Sequence, residues 1–559
     1  MAAPYGTHAS KKRTPQTSPI PGREAEMKEN NAGGYTFVAS DWDQLMRFLI
    51  IGSVGGTYYV NERKLTLDNT AHIKNLITEK GKDVVDEVVR VSDQGLALRN
   101  DPALFVLALC AADGNKEVRS YALSQLPKVA RTATHLFTFI SYVKEMRGWG
   151  RALHNAVANW YQDRKPTNLA YQMVKYRNRE GFTHFDVLRL SKPKPKDAEH
   201  DFLYGYASGK VVFKNGRFVK ITKHKDSGEV SEKNLDMPAG LSIVKGVELI
   251  KQPGLSTTQV VNLISDYGLT HEMIPNEYKS APAVWEALLT YMPMTAMIRN
   301  LGKMTSVGLV KPMSDASKLI VNKLSNQDYL QKSRIHPIAV LSALKIYANG
   351  AGFKGSLTWN PVQTVEDALD KAFYKTFKNV EPTGMNTMLA LDVSGSMSWN
   401  KVMGIEFMMC SELTAAMALV TANVEPNYMI FGFADRFREL PVKASDSLVQ
   451  ATAKVANMTF GGTNCALPMK YAQQHKLDVD SFFIYTDNET WAGGSGDGHP
   501  SQALQAYRKS SGKAARMAVI AAASTSFTIA DPKDPGMMDI CGFSADTPKV
   551  LSEFSKGNL

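Results

Sequence analysis

Three oxygen-bearing side chains stand at alternate positions in one octapeptide: Asp392, Ser394 and Ser396 in Leu391-Asp392-Val393-Ser394-Gly395-Ser396-Met397-Ser398. One carboxylate and two hydroxyls are hard donors of low total charge. They suit Mg²⁺ or Mn²⁺, which keep waters and want few carboxylates. They do not suit Zn²⁺, which wants His or thiolate. The same triplet would also serve as a helix N-cap cluster, since Ser and Asp favour that position. Two later stretches bear on the choice. Gly461-Gly462-Thr463-Asn464 is a glycine-rich turn with a hydroxyl, and Phe482-Phe483-Ile484-Tyr485-Thr486-Asp487 is an apolar run ending in a carboxylate.

The elements that must position these groups follow from the pattern around them. Met388-Leu389-Ala390 reads as a buried strand and Lys401 to Val424 as one long helix, so the triplet falls in a strand-to-helix turn. Open α/β sheets place their sites at the carboxyl ends of strands. Strand and helix patterns alternate from Thr387 to Phe554, which predicts a doubly wound α/β domain over 384–559. A D-x-S-x-S turn, a Thr on a second loop and an Asp ending a later strand resemble the metal-ion-dependent adhesion site (MIDAS) of von Willebrand factor A domains. That resemblance implies Asp392, Ser394, Ser396, Thr463 and Asp487 as ligands, directly or through water, of one Mg²⁺ or Mn²⁺.

The chain has 559 residues, enough for two or more domains. No apolar run approaches the ~18–20 residues that span a membrane. The polar N-terminus lacks the apolar core of a signal peptide. The four cysteines are scattered without C-x-x-C spacing, which argues against a disulfide framework or zinc module and for a reducing cytoplasm. The formal net charge of +11 is unevenly spread. From Gly384 onward 14 basic residues face 17 acidic ones, so the preceding stretch holds 51 basic against 37 acidic. A basic excess confined to one part of a chain points to a polyanion, most often nucleic acid; a solvated surface is the plainer reading.

Residues 1–34 read as a disordered tail with a small basic cluster, Lys11-Lys12-Arg13. Over 35–380 the pattern is repeatedly helical, with helices expected at Ala103–Ala112, His135–Met146 capped by Thr134, Gly150–Tyr161 and Leu169–Arg179, and again from Thr257 to Asn349. Lys192-Pro193-Lys194-Pro195-Lys196 must be extended. Asn215-Gly216 between two apolar runs signals a hairpin and a small β insertion near 204–230. Helix after helix with short polar links is the pattern of an α-solenoid, although no crisp repeat is visible.

A basic helical region ahead of a von Willebrand A domain resembles the Ro (SS-A) autoantigen, or TROVE-domain, family. The resemblance is carried by Gly52-Ser53-Val54-Gly55-Gly56-Thr57-Tyr58-Tyr59, Thr134-His135-Leu136-Phe137-Thr138-Phe139, Trp149-Gly150-Arg151-Ala152-Leu153, Arg299-Asn300-Leu301-Gly302-Lys303, Arg334-Ile335-His336-Pro337 and Met538-Asp539-Ile540-Cys541-Gly542-Phe543. It implies HEAT-like helices closed into a monomeric ring, with the metal-site domain clasping the ends. It further implies small noncoding Y-like RNAs bound outside the ring and single-stranded 3′ ends of misfolded RNAs taken through its hole. That is RNA quality control by binding, without catalysis; some bacterial members tether polynucleotide phosphorylase through a Y RNA. The family's Y RNA patch maps onto Lys175 and Arg179, expected one helical turn apart on one face, and onto Lys192, where many relatives carry His. Arg299, Lys303 and Arg334, in matched motifs, are the candidates for a single-stranded tail.

Two other functions compete with an RNA-binding scaffold. A metal-dependent RNA hydrolase would want several carboxylates around two ions, and two Asp with three hydroxyls serve one. His135, His184 and His336 read as core or RNA-contact residues rather than bases. A metal-dependent protein-adhesion module, whose partner completes the ion's shell, is compatible with the scaffold.

Overall fold

A computed structural model describes residues 13–30, 33–38, 40–51, 71–95, 97, 100–223, 230–352, 356–395, 397, 401–402, 405–456, 462–486, 498–521, 527–541 and 547–557. The Gly52–Tyr59 motif lies outside them.

Helices dominate as far as Lys375, and successive helices pack on one another. Ala71–Gln94, Asp101–Asp113 and Lys116–Val129 form one such group, and Ser242–Ile250, Thr257–Tyr267 and Pro282–Tyr291 another. Local signals set their ends. Asn115 accepts from the Glu117 and Val118 amides, and Ser256 forms a capping box with Gln259. The helix Ala133–Met146 is capped by Thr132, not Thr134: the Thr132 hydroxyl accepts from the His135 amide.

The helix expected to reach Arg179 stops at Lys175. Glu180 and Gly181 both take positive φ, 51° and 75°. That pair makes a two-residue turn, and Asn178–Arg179 folds back on Phe182–Thr183 as a short antiparallel hairpin. The β insertion is present but shifted. The helix Ala198–Ala207 occupies its expected start, and the strands are Val211–Lys214, Arg217–Lys223 and Val230–Leu235. Asn215 and Gly216 form the expected turn, with φ of 50° and 79°.

The C-terminal region is a six-stranded sheet. In chain order its strands are β1 (Thr387–Asp392), β2 (Tyr428–Phe433), β3 (Phe437–Glu439), β4 (Ser481–Thr486), β5 (Arg516–Ala521) and β6 (Met537–Cys541). Across the sheet they run β3-β2-β1-β4-β5-β6, parallel except for β3 at the edge. Side chains alternate as a pleated strand requires. Met388, Ala390, Phe482 and Ile484 pack beneath the helices Leu467–Gln474 and Pro500–Ser511. Leu389, Leu391, Phe483 and Tyr485 face the helices Cys410–Val424 and Thr547–Ser555, in a core continuous with that of the helical region. The long helix expected from Lys401 begins only at Cys410. Lys401–Val402 and Ile405–Met409 pair as strands instead. Ile405 and Phe407 favour that pleat, and Gly404 interrupts a helical reading.

The sheet domain meets both ends of the helical run. Asp41–Ile51 packs on β6, and Pro337–Ala348 packs on Ile405–Met409, with Lys345 ion-paired to Glu412. Tyr374 Oη accepts from the Leu448 amide at 2.8 Å. The chain is thereby closed on itself.

The expected disordered tail is otherwise than read. Residues 1–12 lie outside the described set, but 13–30 and 33–38 run along the sheet domain as a strap. Met27–Glu29 pairs with Tyr35–Val38, which pairs with Phe527–Thr528. Arg23 is held by Asp531 and lies 4.4 Å over the Phe37 ring. Phe527, Thr528 and Asp531 are some five hundred residues away in sequence, so nothing local announces them. Among the described residues no helix is long and apolar enough to cross a membrane.

Candidate nucleic-acid groove and candidate metal centre

Lys175, Arg177, Arg179 and Lys251 line one open groove of about 550 Å³, together with Glu272 and Glu277. Lys175 ends its helix with its side chain only 16% exposed, 3.3 Å from Glu272, and its Nζ donates to the Tyr171 hydroxyl at 3.0 Å. Burial alone would lower this ammonium; Tyr171 and Glu272 outweigh it and hold the pKa above the usual lysine range. Arg179 is exposed on the hairpin and pairs with its neighbour Glu180. So Lys175 and Arg179 do share a surface, but through a hairpin and not through one helical face.

Beneath the groove lies His184, 4% exposed. Its Nε2 donates to the Tyr176 carbonyl at 3.1 Å, which leaves Nδ1 to accept from the Tyr161 hydroxyl at 2.8 Å. Burial pushes its pKa down to about 4. His135 and His336 are also pushed down to about 4, by burial first in each case.

The other basic candidates stand apart from this groove. Lys192 is the exposed C-cap of His184–Ser191, in a left-handed conformation with φ of 41°. Arg299 is exposed and Lys303 half-buried on Met294–Ser306; Arg334 is an exposed left-handed cap with φ of 51°. Lys303 lies close enough to Lys279 to add to the lowering that burial imposes there. Arg177 and Lys251 are the groove residues that sequence reasoning missed. Arg177 stands between the two candidates Lys175 and Arg179, whereas Lys251 carried no signal.

The second site sits at the carboxyl end of β1. Asp392 is fully buried there, level with Phe433 across the sheet. Its Oδ1 accepts from the Ser394 amide and its Oδ2 from the Thr486 hydroxyl, each at 2.9 Å. Ser394 and Thr463 are buried, and the Asn464 amide donates to the Ala434 carbonyl just past β2, at 2.8 Å. The turn after β1, the Thr463 loop and the end of β4 thus belong to one end of the sheet. Ser396 and Asp487 lie outside the described residues. Among the described residues no three His, Cys, Asp or Glu side chains converge. A donor set of one buried carboxylate with hydroxyls is chemically suited to a hard divalent ion and unsuited to zinc.

A helical array closed by an α/β domain with hydroxyl-rich loops at its sheet end defines a class: the chain belongs to the Ro, or TROVE-domain, family. Residues 28–345 match the TROVE domain and residues 386–555 the Ro60 vWA domain. The chain is 36% identical to the RNA-binding protein RO60 of Caenorhabditis elegans, over 95% of this chain and 90% of that protein. It is 36% identical to the RNA-binding protein RO60 of Deinococcus radiodurans, over 98% of each. The crystal structure of the Deinococcus radiodurans Ro (RSR) protein superposes with a TM-score of 0.75 at 35% identity, covering 93% of this chain and all of the other.

Proposed function

We propose that this protein is a non-enzymatic RNA-binding scaffold. It grips folded small noncoding RNA of the Y type at the Lys175–Arg179 groove and holds single-stranded 3′ ends of misfolded RNA through Arg299, Lys303 and Arg334. The observation that carries the reading is the convergence of Lys175, Arg177, Arg179 and Lys251 on one groove, in a chain whose relatives are named RNA-binding proteins. Cations spaced along an open groove meet phosphates and read shape more than sequence. Through a bound RNA the scaffold presents misfolded transcripts to an exoribonuclease such as polynucleotide phosphorylase, in the cytoplasm. Asp392, Ser394, Ser396, Thr463 and Asp487 hold one Mg²⁺ or Mn²⁺, which keeps some of its waters.

The test compares two ligands on the full-length protein. Arg177→Ala with Arg179→Ala should lose a folded small RNA in filter binding while keeping a short single-stranded oligonucleotide. Equal loss of both, with unchanged circular dichroism, would mean one shared surface and defeat the division of labour.

A further inference from the structure

The strap does more than cover an edge of the sheet domain. Gln16 is fully buried, and its Nε2 donates to Asn464 Oδ1 at 2.7 Å and to the Gly498 carbonyl at 3.1 Å. Asn464 adjoins Thr463. Gly498 leads into the helix Pro500–Ser511, the next described element after β4. One amide from the N-terminus thus ties together two loops at the sheet end where Asp392 sits. Neighbouring contacts fix that amide. The Tyr35 amide donates to the Gln16 carbonyl at 2.6 Å, and His499 Nε2 donates to the Ser18 carbonyl at 2.9 Å. Gln502 Oε1 accepts from the Thr14 amide at 3.2 Å.

We propose that the strap is a coupled part of the metal centre: Gln16 is a positioning residue that orders the Thr463–Asn464 loop, so strap docking and divalent-cation binding strengthen each other. The inference rests on the metal reading of Asp392 and Thr463. A loop already ordered costs an ion less to bind, because its conformational entropy has been lost beforehand. Linkage makes the effect reciprocal: the factor by which docking tightens the ion is the factor by which the ion tightens docking. One buried hydrogen-bonded amide supports a coupling of roughly three- to tenfold.

Two measurements on the full-length chain test this with Mn²⁺ as probe. Titration calorimetry should show Gln16→Ala binding Mn²⁺ roughly three- to tenfold more weakly than wild type, and Asp392→Ala not binding it. In wild type, Mn²⁺ should slow tryptic cleavage after Arg23 by a similar factor, and in Asp392→Ala it should not. The second measurement needs no strap variant, so it stands even if Gln16→Ala folds poorly. Wild type that binds Mn²⁺ through Asp392, with cleavage after Arg23 indifferent to the ion, overturns the coupling and leaves the metal site intact. Wild type that binds no Mn²⁺ overturns both.

Discussion

Glu272 stands 3.3 Å from Lys175 and 3.1 Å from His271 Nδ1. It therefore cancels part of the groove's positive charge. Glu272→Gln should tighten folded-RNA binding by about two- to fivefold, the range expected of a partly exposed ion pair, as read by filter binding at constant salt. His184 belongs to the same scale but acts on stability. Its folded pKa of about 4 lies below the ordinary value of 6.5. Between those two values the unfolded chain binds a proton that the folded chain refuses, so stability is full above about pH 6.5 and falls as pH drops towards 4. The shift corresponds to roughly 3 kcal/mol at full extent. Thermal melts should show a declining midpoint over that window. His184→Phe, which still packs on Phe137, should melt lower at neutral pH but decline less steeply.

At the scale of elements, the hairpin Asn178–Thr183 presents Arg179 and depends on Gly181 at φ 75°. Gly181→Val forces a β-branched residue into the left-handed region, at a cost of about 1–2 kcal/mol. Folded-RNA binding should weaken while far-ultraviolet circular dichroism stays that of the parent, because the helices on either side remain packed in the core through Leu169, Met173, Val187 and Leu188. The sequence was legible where one residue type has one local job. Asn215-Gly216 announced its turn, and the apolar run Met388-Leu389-Ala390 announced a buried strand with Asp392 near its carboxyl end. It was misread where a short signal competed with a longer one: Tyr176 to Arg179, just ahead of the Glu180-Gly181 turn, was absorbed into a helix, and Ile405 to Met409 into the helix that follows. Both are cases of turn chemistry and β propensity overruling a helical period. The strap was illegible in principle, since Gln16, Arg23 and Val38 find their partners near the far end of the chain.

The molecule as a whole separates its basic charge from the proposed metal centre. The basic excess lies ahead of Gly384, and the sheet domain that carries Asp392 is slightly acidic. Affinity for folded RNA should thus be electrostatic and largely independent of Asp392. With roughly 6–10 phosphates contacted, it should fall about 10³–10⁵-fold between 50 and 200 mM salt. Arg177→Ala with Arg179→Ala should reduce the slope of log affinity against log salt by about two. A slope unchanged in that variant would place the phosphate contacts elsewhere on the chain. The core that runs from the helices onto one face of the sheet makes these parts mechanically one body, although their charges divide them.

The pairing of Tyr35–Val38 with Phe527–Thr528 also sets an order of events during synthesis. Val38 leaves the ribosome long before its partner strand. At roughly 5–20 residues per second, translation separates them by about 25–100 seconds. Through that interval the edge of the first-made hairpin has no neighbour and is open to pairing with other chains. The nascent protein is thus vulnerable at this hairpin until the much later strand that closes it has been made.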